Sequence, residues 1–139
     1  MVKINRIIID TNLWISFLIS NQYNQLDFLI SSKKCTLIFS QDLLDEFLEV
    51  ASRPKLRSYF SNSDIESLLE IISEYSEFIE VISKIVFLQD AKDDFLLSLA
   101  VDGEADYLIT GDKELIEVGK FNKTEIISMS EFLKKFDSE

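Results

Sequence analysis

Short apolar runs and stretches of helical period alternate along this chain. Residues 5 to 9, which end in the apolar run Ile7-Ile8-Ile9, are predicted to form a buried strand, and Trp14 and Phe17 lie on the apolar stripe of the helix predicted to follow. The same pattern predicts four more strands, at Thr36 to Phe39, Phe78 to Ile82, Tyr107 to Thr110 and Glu125 to Ile127. Further helices are predicted over residues 22 to 32, 41 to 52, 63 to 75, 93 to 102 and 131 to 136. Because strands that alternate with helices form a parallel sheet covered on both faces, we predict a three-layer α/β/α sandwich with five parallel strands.

Local signals mark several helix ends. Ser40 is the expected cap of the helix that Arg53-Pro54 closes. Ser63 and Glu66 have the spacing of a capping box, and Gly103 is expected to stop the helix that precedes the fourth strand. These signals agree with the boundaries that periodicity predicts.

Length and composition describe a small globular unit. A chain of 139 residues suits one core, and no low-complexity linker interrupts it, so we expect residues 1–139 to form a single domain. The lone Cys35 excludes an internal disulfide and suits a reducing compartment. No apolar run is long enough to span a bilayer. We therefore interpret the protein as cytoplasmic, with no membrane partner.

Charge and residue usage narrow the chemistry. The net charge of −11 argues against avid, non-specific binding to duplex nucleic acid. It does not exclude nucleic acid, because a divalent metal held by carboxylates can bridge an acidic protein to phosphate. The chain has no histidine and no Gly-rich phosphate loop, so a Ser-His-Asp triad and a nucleotide-binding loop are both excluded. Function is therefore to be sought among the acidic side chains.

Two of these acids directly follow predicted strands. Asp10 comes after the first strand, and Asp112 comes after the fourth, in Thr110-Gly111-Asp112. Ligands of parallel sheets bind beyond the carboxyl ends of the strands, where the strand order reverses. If these two strands are neighbours, both carboxylates point into one crevice. The alternative for each residue is a structural one, because an acid at such a turn can simply cap the next helix.

Helix phase selects one acid from the helix after the second strand. Glu46 lies just outside the edge of the apolar stripe, nearer the core than Asp42, Asp45 or Glu49. It is therefore the acid of this helix expected to reach a buried site, with Asp45 as the second choice. A solvated charged face is the better account of Asp42, Asp45 and Glu49.

The same reasoning separates two adjacent acids at the start of a later helix. Asp93 shares its face with Leu97 and is expected to point inward, where a buried charge needs a partner such as a metal. Asp94 shares its face with Ser98 and Asp102, at i+4 and i+8, and is expected to face water.

Taken together, these segments resemble a PIN domain. The resemblance rests on Asp10-Thr11-Asn12 after an apolar strand, Glu46, Asp90-Ala91-Lys92-Asp93 before a Leu-rich helix, and the run from Ala105 to Asp112. Residues 40 to 55 and the Ala-Asp-Tyr to Thr-Gly-Asp run are more narrowly similar to the toxin components of prokaryotic toxin-antitoxin pairs. Four separated segments in the family's order make the resemblance specific. Ala91 departs from the family, since relatives often carry proline there.

The resemblance implies a fold, a site and partners. The implied sheet order is 3-2-1-4-5, which places strands one and four side by side. It also implies a small antitoxin partner and a homodimer. Asn12 and Thr110 would have supporting roles. The implied metal-binding acids are Asp10, Glu46, Asp93 and Asp112.

The expected activity is metal-dependent cleavage of single-stranded RNA. Oxygen ligands without histidine favour Mg²⁺ or Mn²⁺ over Zn²⁺, and such ions can activate water and stabilise a departing 3′ oxygen. One alternative is a PIN-like module that binds RNA or a protein without cutting. Another is a phosphoacceptor receiver domain, which needs an acceptor Asp after strand three, where this chain has Ser83 and Lys84.

Three basic residues are candidates for RNA contact. Arg53, Lys55 and Arg57 begin seven residues after Glu46, about 10 Å along a helix, and could hold the RNA backbone. The alternative is an ordinary solvated loop.

Overall fold

The computed structural model describes residues 3–21, 23–87 and 93–137. The strands in these ranges are β1 (Asn5–Ile9), β2 (Cys35–Phe39), β3 (Ser76–Phe78), β4 (Tyr107–Ile109), β5 (Lys120–Phe121) and β6 (Thr124–Ile127). The helices are α1 (Thr11–Ser20), α2 (Asn24–Ser31), α3 (Gln41–Ala51), α4 (Asn62–Tyr75), α5 (Asp94–Asp102), α6 (Lys113–Val118) and α7 (Met129–Asp137), with a short 3₁₀ helix at Pro54–Leu56. No helix in these ranges is long and apolar enough to cross a membrane.

The strands form one sheet in the order β3-β2-β1-β4-β6-β5. Five of them are parallel and follow the order that the resemblance implied, with β6 as the fifth predicted strand. The remaining strand, β5, was not predicted. It has two residues and pairs antiparallel with β6 at the edge of the sheet. Strands β1 and β4 are neighbours in register, with Ile9 opposite Ile109. The α/β class and the central strand order are therefore confirmed.

The core lies on both faces of the sheet. Successive strand residues point to opposite faces, yet Ile7, Ile8 and Ile9 of β1 are all buried. Helices must therefore cover both sides, as the apolar run predicted. The largest fully buried side chains include Trp14, whose indole N–H donates to the carbonyl of Ile9 at 2.9 Å. This bond fixes the first turn of α1 against the end of β1.

One of the two predicted helix caps needs correction. Helix α4 is capped by Ser61, not Ser63, and its capping box joins Ser61 to Asp64. The cap falls two residues earlier because Ser61 keeps an extended backbone while Asn62 is already helical. Ser40 does cap α3 as predicted, accepting a hydrogen bond from the Leu43 N–H at 3.2 Å.

The predicted third strand, Phe78 to Ile82, is wrong in most of its length. The register with β2 ends at Phe78, followed by one more backbone hydrogen bond, from the Ile79 N–H to the Phe39 carbonyl at 2.9 Å. Residues 79–87, which we call the strap, belong to no strand. From residue 79 to residue 86 the strap keeps the alternation of a strand: residues 79, 81, 83 and 85 are half-buried, whereas Ile82 and Val86 are 80% and 88% exposed. Period-two burial therefore occurs here without a strand ladder.

Side chains of α5 replace the missing ladder. Asp102 accepts hydrogen bonds from the Ile82 N–H at 2.6 Å and the Ser83 N–H at 2.8 Å. Ser98 accepts from the Ile85 N–H at 3.0 Å, and Asp94 accepts from the Phe87 N–H at 3.4 Å. The expectation that the Asp94, Ser98 and Asp102 stripe faces water is therefore wrong at its first residues: Asp94 and Ser98 are each only 5% exposed. Buried polar groups need partners, and here the partners are backbone N–H groups.

Candidate active site

The four acids singled out from the sequence line one cavity of about 140 Å³. It lies beyond the carboxyl ends of β1 and β4, where the strand order reverses. Its lining includes acids from four separate parts of the chain. The lining residues are Asp10, Thr11, Asn12, Glu46, Val50, Arg53, Asp93, Leu96 and Asp112.

Asp10 is the most enclosed of these acids, at 5% exposure. One carboxylate oxygen, Oδ1, accepts the Leu13 N–H at 3.0 Å and so caps α1. The other, Oδ2, accepts a short hydrogen bond from the hydroxyl of Thr110. The capping alternative and the crevice prediction therefore both describe this residue, because its two oxygens do different things.

Burial raises the pKa of the Asp10 carboxyl above its ordinary value of 3.8. The hydrogen bonds from Thr110 and Leu13 oppose that shift, whereas the negative charges of Asp112 and Glu46 add to it. Each of these acids therefore makes ionisation of Asp10 harder. A cation among them would reverse this effect.

Asp112 is tied to Asp10 through Thr110. The Thr110 hydroxyl, while donating to Asp10, accepts the Asp112 N–H at 3.0 Å. The Asp112 side chain caps α6 by accepting the Glu114 N–H at 2.8 Å. One buried hydroxyl at the end of β4 thus fixes the positions of both acids.

Glu46 reaches the cavity from α3, while Asp42, Asp45 and Glu49 on the same helix are exposed. Its Oε2 accepts the hydroxyl of Thr11 at 2.6 Å. Sequence reasoning gave Thr11 no role. The only sequence signal for it was its position directly after Asp10, at the start of α1.

Asp93 is half-buried, directly precedes α5 and lines the cavity beside Leu96. Its neighbour Asp94 points instead to the strap. The remainder of the motif, Asp90-Ala91-Lys92, lies outside the described residues, and so does any effect of Ala91.

Of the predicted supporting and basic residues, Asn12 and Arg53 line the cavity, whereas Lys55 and Arg57 are not among its lining residues. Asn12 is exposed where it lines the cavity, and the hydrogen bonds to the Asp10 carboxylate come from Thr110 and Leu13. Arg53 lines the cavity and forms an ion pair with Glu49 at 2.9 Å. Lys55 and Arg57 are exposed and are not among the cavity-lining residues, and Arg57 donates to Asn62 at 2.5 Å.

The donor set suits a hard divalent cation. Among the described residues, no three acids converge closely enough to hold one ion directly. Mg²⁺ does not require this, because it keeps several of its waters and binds through one or two carboxylates. A cavity of about 140 Å³ has room for such waters, each of which occupies about 30 Å³ in the liquid. Oxygen donors, negative charge and room for water therefore fit Mg²⁺ or Mn²⁺.

Comparison with known proteins identifies the family. A family model for the PIN domain matches residues 6–114. This chain belongs to the PIN domain family. The match includes all four acids of the cavity, from β1 through the first turn of α6.

Solved structures share the fold of this PIN domain. One is VapBC2 from Rickettsia felis, solved bound to a DNA fragment from the promoter; it has a TM-score of 0.57 and 18% identity, over 87% of this chain and 96% of that chain. Another is the PIN domain of human SMG5, with a TM-score of 0.51 and 14% identity, over 94% of this chain and 98% of that one. A search of curated proteins gave no significant match.

Proposed function

We propose that this PIN domain is a divalent-metal-dependent endoribonuclease that hydrolyses phosphodiester bonds of single-stranded RNA. The observation that carries the proposal is the convergence of four acids on one cavity, with the pKa of Asp10 raised by burial and by the charges of Asp112 and Glu46. Crowding acids around a buried carboxylate costs stability. It is useful when a cation from solution offsets the repulsion.

The residues that would hold Mg²⁺ or Mn²⁺, directly or through its bound waters, are Asp10, Glu46, Asp93 and Asp112. When bound, the ion would polarise the scissile phosphate and lower the pKa of the attacking water. Thr110 holds Asp10 and Asp112 at a fixed separation, so the charge that receives the cation is already in place before substrate arrives. This arrangement avoids reorganisation during the reaction.

Arg53 is the basic residue best placed to contact RNA. It lines the same cavity as the acids, and its partner Glu49 is an exposed residue one turn earlier on α3. An exposed ion pair of this kind contributes little stability. A backbone phosphate next to the cavity could therefore take the guanidinium from Glu49, while Lys55 and Arg57 would contribute only general attraction.

The similarity to VapBC2 supports a cellular setting. We propose that the chain is the toxin of a toxin-antitoxin pair, acts in the cytoplasm as one domain, and forms a homodimer that binds a small antitoxin protein. This part of the proposal rests on fold and family, because 18% identity carries no residue-level argument about partners.

The decisive experiment compares wild type with Asp10→Asn and Glu46→Gln. Asparagine keeps an acceptor for the Leu13 N–H and is a good helix cap, so the fold should survive. We expect metal-dependent cutting of end-labelled single-stranded RNA by wild type and at least an approximately 100-fold loss in both variants, since metal-assisted charge stabilisation is worth several kcal/mol.

Asp42→Asn is the matched control, because Asp42 lies on the same helix as Glu46 but is exposed. It should cut like wild type in Mg²⁺ or Mn²⁺, and EDTA should stop it. Equal activity of wild type and Asp10→Asn would overturn the nuclease proposal. Absence of cutting by all proteins, with RNA still bound, would favour the alternative of a non-catalytic RNA-binding module.

A second test separates the basic residues. Arg53→Gln should weaken binding of single-stranded RNA more than Lys55→Gln does, because only Arg53 lines the cavity. We expect a loss of about tenfold for Arg53 and about twofold for Lys55, with unchanged metal affinity, measured by fluorescence anisotropy at fixed salt. Equal losses of RNA affinity would show that Arg53 makes no specific contact with RNA and acts only as a solvated charge.

A further inference from the structure

Two threonine hydroxyls each donate to one acid of the cavity. Thr110 donates to Asp10, and Thr11 donates to Glu46 at 2.6 Å. The second distance lies in the range of a charge-assisted O–H···O⁻ bond, which is shorter and stronger than a neutral one. The two donors lie on different parts of the fold, since Thr110 directly follows β4 and Thr11 begins α1.

The hydroxyl of Thr11 is held in place by its surroundings. Thr11 is 5% exposed and follows Asp10, the cap of α1. The turn is fixed on one side by the Asp10 to Leu13 bond and on the other by the Trp14 to Ile9 bond. Its hydroxyl is therefore a rigid donor.

Glu46 is different, because it is only half-buried and has a long side chain with several rotamers. Without Thr11, water could satisfy this carboxylate in many orientations. With Thr11, one oxygen is bonded to the turn that also carries Asp10. The bond thus ties Glu46 to the residue next to Asp10, the most enclosed of the four acids.

We infer that Thr11 is a positioning residue that holds the Glu46 carboxylate toward Asp10 and so sets the affinity of the cavity for a divalent cation. The inference rests on the proposed metal-dependent function. Helix α1 is already anchored by Asp10 and Trp14, so the Thr11 bond is not needed to attach that helix. The distinctive effect of the Thr11 hydrogen bond is on the orientation of the Glu46 carboxylate.

The test compares Thr11→Val, which keeps the shape and removes the hydroxyl, with Thr11→Ser, which keeps the hydroxyl. Thr36→Val is the matched control, because Thr36 lies in β2 and does not line the cavity. The readout is the Mn²⁺ concentration that produces a fixed rise in Tm over the metal-free protein, measured without RNA. We expect that concentration to increase at least about tenfold in Thr11→Val, to stay within about twofold in Thr11→Ser, and to be unchanged in Thr36→Val.

A double-mutant cycle isolates the path through Glu46. In a Glu46→Gln background, Thr11→Val should cause no further loss of Mn²⁺ affinity, because the carboxylate that it positions is gone. An equal loss in both backgrounds would overturn the inference. Thr11→Ala provides a second hydroxyl-free variant if valine prevents folding.

The two proposals fail in different ways. If Thr11→Val lowers Tm but responds to Mn²⁺ like wild type, Thr11 is only structural and the inference is overturned while the nuclease proposal stands. If wild type itself shows no Mn²⁺-dependent rise in Tm, the metal-dependent function falls and the inference falls with it.

Discussion

Asp106 and Asp10 lie at opposite ends of two neighbouring parallel strands, β4 and β1, and their surroundings differ. Asp106, before β4, accepts the Arg6 N–H at 2.8 Å and lies 3.8 Å from the Lys3 ammonium and 3.7 Å from that of Lys123. Asp10, after β1, is bonded by a hydroxyl and one N–H and feels the negative charges of Asp112 and Glu46. One acid is surrounded by basic groups and the other by acids.

This difference in surrounding charge indicates that the end of the sheet with Asp106 contributes to stability and that the end with Asp10 does not. Asp106 accepts a backbone N–H and lies close to two lysine ammonium groups, as expected for a structural contact. Like charges around Asp10 oppose its ionised form, so folding gains nothing from them. An arrangement that disfavours its own charges is typical of a binding or catalytic site.

The largest effect is expected from Asp106→Ala. This change leaves the Arg6 N–H without its acceptor and should lower the free energy of unfolding by about 1 to 3 kcal/mol. Urea unfolding at neutral pH in EDTA measures it. Asp106→Asn keeps an acceptor oxygen and should lose less than about 1 kcal/mol, because the exposed lysine pairs contribute little. Equal losses in the two variants would show that the lysines, not the Arg6 bond, matter most.

A smaller effect of opposite sign is expected for Asp10→Asn. Because the pKa of Asp10 is raised in the folded state, the folded protein holds its proton more tightly than the unfolded chain does. Wild-type stability should therefore fall as pH rises through a window that opens near 3.8 and closes at the raised folded value. Asparagine has no such penalty, so in EDTA the variant should be the more stable protein at neutral pH and should lose its advantage below about pH 3.8.

The control for this experiment is Glu117→Gln, an exposed acid on α6. With a net charge of −11, removing any acid relieves some repulsion, and Glu117→Gln measures that general gain. The contrast with Asp106 breaks down if Asp10→Asn is no more stable than Glu117→Gln at neutral pH.

The smallest effect is local and concerns the strap. The Ser83 hydroxyl and N–H, together with the Ile82 N–H, lower the pKa of Asp102 below 3.8. This stabilisation is present above pH 3.8 and is lost as pH falls through the lower folded value. Asp102→Ala should speed hydrogen exchange at the Ile82 and Ser83 amides by about tenfold, with little change in global stability, because opening is confined to the strap. Glu80→Ala, an exposed strap residue, should leave these amides unchanged.

Much of the fold could be predicted from the sequence because strong periodicity reports burial directly. The apolar run of β1 and the Ser40 cap of α3 are local signals, and both were read correctly. The strap was misread because Ile79, Val81 and Ile85 have the spacing of a strand. Periodicity reports which side chains are buried and does not report what the backbone bonds to.

The candidate site shows the same limit. Helix phase brought Glu46 and Asp93 to the cavity, and the sheet order brought Asp10 and Asp112. Asp94 was misplaced because a polar stripe can bind backbone N–H groups as readily as water. Thr11 was missed because its bond to Glu46 joins residues that are 35 positions apart, and no local pattern contains that information.

The double use of Asp10 and Asp112 has a consequence for descent. Both residues cap helices in addition to lining the cavity, whereas the described contacts give Asp93 no capping bond and Glu46 lies inside α3. If a lineage gave up the proposed cleavage, selection for folding alone would keep the two caps and release Glu46 and Asp93. Loss of those two acids, with the caps intact, is the signature by which a descendant without activity would be recognised.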